Sequence, residues 1–363
     1  MSADIRGEWP NYGGALDPTV WMRIRASMNH EEGDRVPIWD YLDNRPTFEY
    51  FHRPGDTHDE TMRRAYHELG IDFCRGYGSS FSREDEGRAS DHEEWKISGL
   101  TQWATKKPIS NYAELRSFQP RLFTEVDCSR WLKQTQEAQA RMAPLSYFVP
   151  GVGTGFHEVY DLMGQQLFSY AIYDERRELD RLFEAYGYNS TLIARHAAST
   201  KPGPLFFTWA DIAYKGRLLF SRSFLRETFI PMLQSVCEPL AEAGIKVVFH
   251  SDGDVTEILD DMLDAGINGL NPVEPQAGMD IGRLKKRYGK RLILVGNIDC
   301  SQVLPLGSVQ DVVEAVKTCL REAGHGGGLF IGSSSEIVPS TPLENVLAFF
   351  EACRTFGRYP LAV

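Results

Sequence analysis

No apolar stretch in this chain is long enough to span a bilayer, so a helical membrane protein is excluded. The opening Met1-Ser2-Ala3-Asp4-Ile5-Arg6 has no signal-peptide apolar region, and a cytoplasmic location is the expectation. Cysteine is sparse. Cys74, Cys128, Cys237, Cys300, Cys319 and Cys353 are scattered with no C-x-x-C pair, which argues against a disulfide framework and a cysteine-rich zinc site. Only Cys300, just after a strand end, is kept as a site candidate. Basic charge is in deficit: 39 Lys and Arg against 50 Asp and Glu give a net charge of −11. That disfavours nucleic acid or an anionic membrane as a partner. Several motifs are also missing. No G-x-G-x-x-G follows the first strand, and no G-x-S-x-G elbow is present. Gly151-Val152-Gly153-Thr154-Gly155 lacks the lysine of a phosphate loop, and Asp252-Gly253-Asp254 lacks the spacing of a calcium loop.

What is present centres on Lys246-Val247-Val248-Phe249-His250-Ser251-Asp252-Gly253-Asp254. A short apolar run bounded by turn residues reads as a buried strand. This one ends in an imidazole, a hydroxyl and two carboxylates. Delivery of polar groups at a strand's C-terminal end is how α/β proteins build active sites. One of the two aspartates is expected to cap the following helix instead.

Seven further apolar runs share this character: 36–42, 71–75, 145–149, 205–209, 267–271, 291–295 and 328–331. After the second, helical stretches with glycine stops separate them, as at Ser223–Ala243 with Gly244 and Asp280–Tyr288 with Gly289. The pattern predicts an α/β fold, a single (β/α)8 TIM barrel over 1–363, with an open doubly wound sheet as the alternative. Residues 77–143 break the alternation and read as an insertion over the mouth, with a hairpin at Trp95–Trp103.

A barrel gathers strand-end polar groups at one mouth. Here these are Asp40, Tyr41, Arg75, Tyr77, His157, Glu158, Asp211, Tyr214, His250, Asp252, Asp254, Asn271, Glu274, Asn297, Asp299 and the Ser333–Glu336 stretch. Acids and phenols dominate, and Arg75 and Lys215 are the evident cations. Crowded carboxylates raise one another's pKa, which suits proton donation or metal binding. Asp252, His250, Glu274 and Asp211 are the predicted catalytic groups. Asp40, Tyr41, Arg75, Glu158, Tyr214, Asn271 and Asn297 are the predicted substrate contacts. His250, Asp252 and Glu274 form the predicted metal set. For Glu158 the alternative is dipole stabilisation of its own helix. Trp95, Trp103, Phe156 and Tyr160 read either as an aromatic lining or as core.

Several stretches resemble the uroporphyrinogen decarboxylase superfamily, which includes cobalamin-dependent methyltransferases. They are Asp34-Arg35-Val36-Pro37-Ile38-Trp39, Phe220–Glu227, Val248–Asp254, Gly269-Leu270-Asn271-Pro272-Val273-Glu274-Pro275, Met279–Gly289, Gly296-Asn297-Ile298-Asp299 and Thr341–Asn345. Together they cover 34–358 in ordered pieces. The resemblance implies one barrel with its site at the C-terminal mouth.

The departures from the family pattern select a branch. The decarboxylase carries an arginine-rich segment after its first strand, where this chain has Asp40-Tyr41-Leu42-Asp43-Asn44-Arg45-Pro46. Those acids would repel a polyanionic porphyrinogen. The coenzyme M methyltransferases hold zinc through His-x-Cys and a later cysteine. Here the positions read His250-Ser251-Asp252 and a serine near Ser335, so a thiolate-held zinc loses both sulfurs. What remains resembles methyltransferases and O-demethylases that move a methyl group to a corrinoid from a methylamine or a methoxylated compound, aromatic ones included. The implied cofactor is cobalamin on a separate corrinoid protein. A small methyl donor and a second copy of the chain in a homodimer are the other expected partners. A decarboxylase-like lyase is the alternative.

Overall fold

The computed structural model describes residues 4–75 and 107–363, and the backbone of 95–98 and 101–104. Its strands are β1 (Phe73–Cys74), β2 (Trp95–Ser98), β3 (Thr101–Ala104), β4 (Tyr147–Phe148), β5 (Leu205–Trp209) and β6 (Ala213–Tyr214). They continue with β7 (Arg217–Leu218), β8 (Lys246–His250), β9 (Gly269–Asn271), β10 (Ile293–Ile298) and β11 (Leu329–Ser333). The central sheet is parallel, in the order β11-β10-β9-β8-β5. Its strands are apolar on both faces because helices cover one side and converging side chains fill the other.

β1 pairs with β4, also in parallel, but this pair and the central sheet are separate ladders. Single parallel bridges run between them: Gly151 to Phe207, Trp39 to Phe73, and Ile38 to Ile331. The first predicted strand, 36–42, is therefore only a set of bridges. Pro37 has no N–H to donate, and Asp40 takes the Ser333 N–H on its carboxylate. Inside the curl, the rings of Trp39, Phe73, Phe207 and Phe330 touch, with Phe73 and Phe330 only 4.5 Å apart although they belong to different ladders. Among the described residues, no helix is long and apolar enough to cross a membrane.

The helix Glu125–Met142 joins β1 to β4 and buries Cys128, Thr135, Ala138 and Gln139. Its Trp131 ring lies 6.0 Å from Phe206, and Trp131 Nε1 donates to Gly151 O. It thus packs on the outer side of β5, between β1 and β4 in the chain, within the stretch 77–143 expected as an insertion. The predicted hairpin is present, pairing Trp95 with Ala104. Tyr77 and the Ser79–Glu94 stretch lie outside the described residues, as do the Trp95 and Trp103 side chains. Downstream, the predicted helix Ser223–Ala243 contains a π-turn at Leu225–Phe229, immediately before Pro231. Proline cannot donate the i→i−4 bond, and the wider turn absorbs the defect.

Candidate active site

β5, β8 and β9 are neighbours, so their C-terminal ends bring Asp211, His250, Asp252 and Asn271 together. His250 Nδ1 lies 2.8 Å from Asn271 Oδ1. An amide oxygen only accepts, so Nδ1 carries the proton and donates. In the neutral ring, that leaves the Nε2 lone pair facing Asp211 Oδ1 at 3.8 Å and Asp252 Oδ1 at 3.9 Å. One donor atom from each residue lies within 4.8 Å of the other two. Three electron-rich atoms at this separation could share a cation. Asn271 is 2 % exposed and faces His250, so it positions the ring.

The loop after β8 is fixed from several sides. Asp252 N–H donates to Asp211 Oδ1 at 3.1 Å, Gly253 N–H to Glu274 Oε2 at 2.9 Å, and Asp254 N–H to Tyr214 O at 3.1 Å. Gly253 has φ +87, and a Cβ there would lie 2.5 Å from the Ala213 carbonyl carbon. Only glycine lets the β6–β7 hairpin close over this turn. Asp254 accepts the Thr256 N–H and is the aspartate that caps the following segment. Burial pushes the Glu274 carboxyl above its usual range, and the Asp252 charge adds to this while the Gly253 N–H opposes it. Glu274 flanks the His250 cluster through the Gly253 N–H, and the three residues whose donor atoms lie close enough to share an ion are Asp211, His250 and Asp252.

A second pair of groups supports Asp211. His157 Nδ1 accepts the Asp211 N–H at 3.0 Å, and Nε2 lies 3.4 Å from Asp161. The Tyr160 hydroxyl lies 3.0 Å from both His157 Nδ1 and Asp211 O. With Nδ1 already taken by the N–H, the phenol donates to the carbonyl. Burial and the neighbouring acids keep that phenol protonated. Sequence reasoning noticed His157 at a strand end without giving it a role, because its partner lies on another strand. Phe156, fully buried among Phe168, Phe183 and Phe229, is core and not lining.

The other predicted contacts divide by burial. Asp40 is 1 % exposed and accepts from Ser333 N, Ser333 Oγ and Tyr41 N. Burial outweighs these donors and pushes its pKa up to about 7. The Arg75 guanidinium lies over the rings of Tyr41 and Phe207, at 5.4 and 5.7 Å, and the Phe207 ring is 5.7 Å from His250. Arg75 and Phe207 thus join the Asp40 side of the mouth to the His250 side. Glu158 accepts the Gly155 N–H at 3.0 Å and so caps its own helix. Tyr214 is 58 % exposed on the β6–β7 hairpin. Asn297 lies in β10 opposite Gly332. Asp299 is occupied in a turn, accepting from Ser301, Gln302 and Gln276.

A family model described as uroporphyrinogen decarboxylase (URO-D) matches residues 162–356, more than half of the chain. The chain belongs to the uroporphyrinogen decarboxylase family. The matched region contains Asp211, His250, Asp252, Asn271 and Glu274, and not Asp40, Arg75 or His157. Within the family, the chain is 36 % identical over 127 residues to the methylcobamide:CoM methyltransferase of Methanosarcina barkeri, covering 35 % of this chain and 36 % of that protein. It is 27 % identical over 214 residues to the uroporphyrinogen decarboxylase of an Anaeromyxobacter strain, covering 58 % and 55 %. The chain therefore spans only about a fifth to just over half of the length of the curated relatives it matches. A solved methyltransferase from Methanosarcina mazei shares the fold with a TM-score of 0.67, at 22 % identity, over 93 % of this chain and 98 % of that one.

Proposed function

We infer that this protein is a corrinoid-linked methyltransferase, built as a (β/α)8 barrel whose mouth holds the His250 centre. The observation that carries the reading is His250 Nε2 facing two carboxylate oxygens, with Nδ1 pinned by Asn271. Such a centre is made to take up positive charge. The N,O,O donor set of Asp211, His250 and Asp252 fits a divalent ion, zinc included, without any thiolate. An ion held there would supply Lewis acidity at the donor's oxygen or nitrogen.

The chain's own residues have three tasks. The substrate is a methoxylated compound or a methylamine, and its methyl leaves to a reduced corrinoid on a partner protein. As the C–O bond breaks, its electron pair stays on the oxygen, which must gain a proton. Glu274 and Asp252 are the acids beside it, and Glu274 is the one burial keeps protonated higher in pH. His157 and Tyr160 hold Asp211 by its backbone, and Asn271 holds His250. Phe207, whose ring lies 5.7 Å from the His250 ring, is the aromatic face beside the centre that an aryl donor would meet.

Decarboxylation of a porphyrinogen fits less well. That polyanion would meet Asp252, Glu274 and Glu336, with Lys215 beside Glu274 and Arg75 beside Glu336 as the nearby cations. The test is an assay of the purified protein with Co(I) cobalamin or a corrinoid protein against methoxylated aromatics, methylamines and porphyrinogens. Methyl transfer from an ether or amine is expected. Carbon dioxide release from a porphyrinogen, with no methyl transfer from any donor, would overturn the reading.

A further inference from the structure

Among the described residues, a second group of ligand-type side chains meets well away in sequence from the strand-end centre. We propose that Glu125, Cys128 and His196 form a binding site for a zinc-class divalent cation, which clamps the helix Glu125–Met142 to the helix Arg176–Thr200. One donor atom from each of the three residues lies within 4.8 Å of the other two. None of them belongs to the mouth.

The backbone already holds the two helices in register. Thr124 and Asp127 form a capping box at the start of Glu125–Met142, which fixes where Glu125 and Cys128 emerge on one helix face. Asn189 of the second helix grips the chain just before this cap, accepting from Phe123 N at 2.7 Å and donating to Arg121 O at 2.9 Å. His196 lies two turns further on. Its ring has no hydrogen bond among the described residues. Nε2 is buried without a partner, and Nδ1 is 4.0 Å from Glu125 Oε2, too far for a hydrogen bond. An ion taken by Nδ1, the ring nitrogen nearest Glu125, would give this imidazole a partner that no hydrogen bond supplies among the described residues.

The donor chemistry points to the ion's class. One sulfur, one imidazole and one carboxylate suit zinc, with water in the fourth place, whereas calcium and magnesium call for oxygen ligands. A tetrahedral shell needs donor separations of roughly 3.5 Å, so the shell closes with a shift of about 1 Å. Glu125, whose side chain is 82 % exposed, is free to make it. Cys128 is fully buried, and burial with the Glu125 and Asp127 charges pushes its thiol up. The metal must therefore displace the thiol proton.

The test uses the full chain, reduced and chelator-stripped, titrated with Co(II) as an optical substitute for zinc. A thiolate-to-cobalt charge-transfer band saturating at one ion per chain is expected. The His250 centre offers only nitrogen and oxygen donors, and Cys300→Ser, which should leave the band intact, excludes the half-buried thiol after β10. The band should vanish in Cys128→Ser, and Co(II) affinity read from it should fall at least about tenfold in His196→Ala and in Glu125→Gln. Asp252→Asn should leave the band intact. The His196 and Glu125 variants decide the matter even if Cys128→Ser fails to fold. Absence of a thiolate band in the wild type at about 1 mM Co(II), far above the range of structural sites, would overturn the proposal. A band that survives His196→Ala with unchanged affinity would do so too.

Discussion

Asp252 offers the most direct probe of the His250 centre, because its carboxylate faces Nε2 while its backbone N–H is bound to Asp211. Asp252→Asn keeps size and backbone and removes one charge. Steady-state methyl transfer should drop by about 10²–10⁴, the range for loss of a general acid or charge partner. The side chain is 54 % exposed, so the thermal midpoint should hardly move. A larger loss for donors with poorer leaving groups would mark proton donation. Unchanged turnover would remove Asp252 from the chemistry. Asp40 gives a different residue-scale test. Its folded pKa of about 7 stands above the ordinary 3.8. Between those values the unfolded chain has lost a proton that the folded chain retains, so stability falls as pH rises from about 4 to about 7. For a fully buried group this amounts to at most about 4 kcal/mol. Asp40→Asn should flatten that fall in denaturant melts run across the interval, and an unchanged slope would show that Asp40 ionises freely. The strand-end acids were legible because an apolar run stops abruptly at them. The Asn271–His250 contact was not, since it depends on which strands are neighbours.

The turn after β8 is the element that decides how the mouth closes. Gly253→Ala puts a Cβ against the Ala213 backbone at a φ of +87. The strain and the shift of the β6–β7 hairpin should cost about 1–3 kcal/mol. The hairpin should also draw Asp254 N–H off Tyr214 O. A lowered thermal midpoint together with reduced turnover is expected, whereas full stability would mean that the hairpin yields without cost. Elements with strong periodicity and clear stops were readable in the sequence. Asp280–Tyr288 was expected and Ile281–Tyr288 is observed, closed by Gly289. Helix Glu125–Met142 was harder to place. Its amphipathic pattern is plain, but nothing local says which strand it covers until Trp131 is seen against Phe206. The π-turn before Pro231 also escaped, because proline tolerates more than one local solution.

At the scale of the whole molecule, cohesion is uneven, and this too was invisible in a list of eight apolar runs. β10 and β11 share five paired residues, and β5 and β8 share another five. β1 and β4 share two, and the 36–42 stretch is joined by single bridges at Ile38, Trp39 and Leu42. Side-chain packing compensates only in part. Trp39 and Phe73 are locked into the central aromatic cluster and their amides donate to Ile331 O and Ile38 O, but these bonds belong to ladders of one or two paired residues. Local opening follows the weakest cooperative unit. Native-state hydrogen exchange should therefore find the amides of Phe206 and Val248, and of Leu294 and Val295 in the β10 ladder, exchanging only by global unfolding. The amides of Trp39, Phe73 and Tyr147 should exchange through a smaller opening at lower free energy. Such an opening would move Asp40 and Arg75 while leaving Asp211, His250 and Asp252 in place, because these three rest on the central ladders. Equal protection in both groups would instead make the parallel strands one cooperative unit, with the single bridges as strong as the ladders.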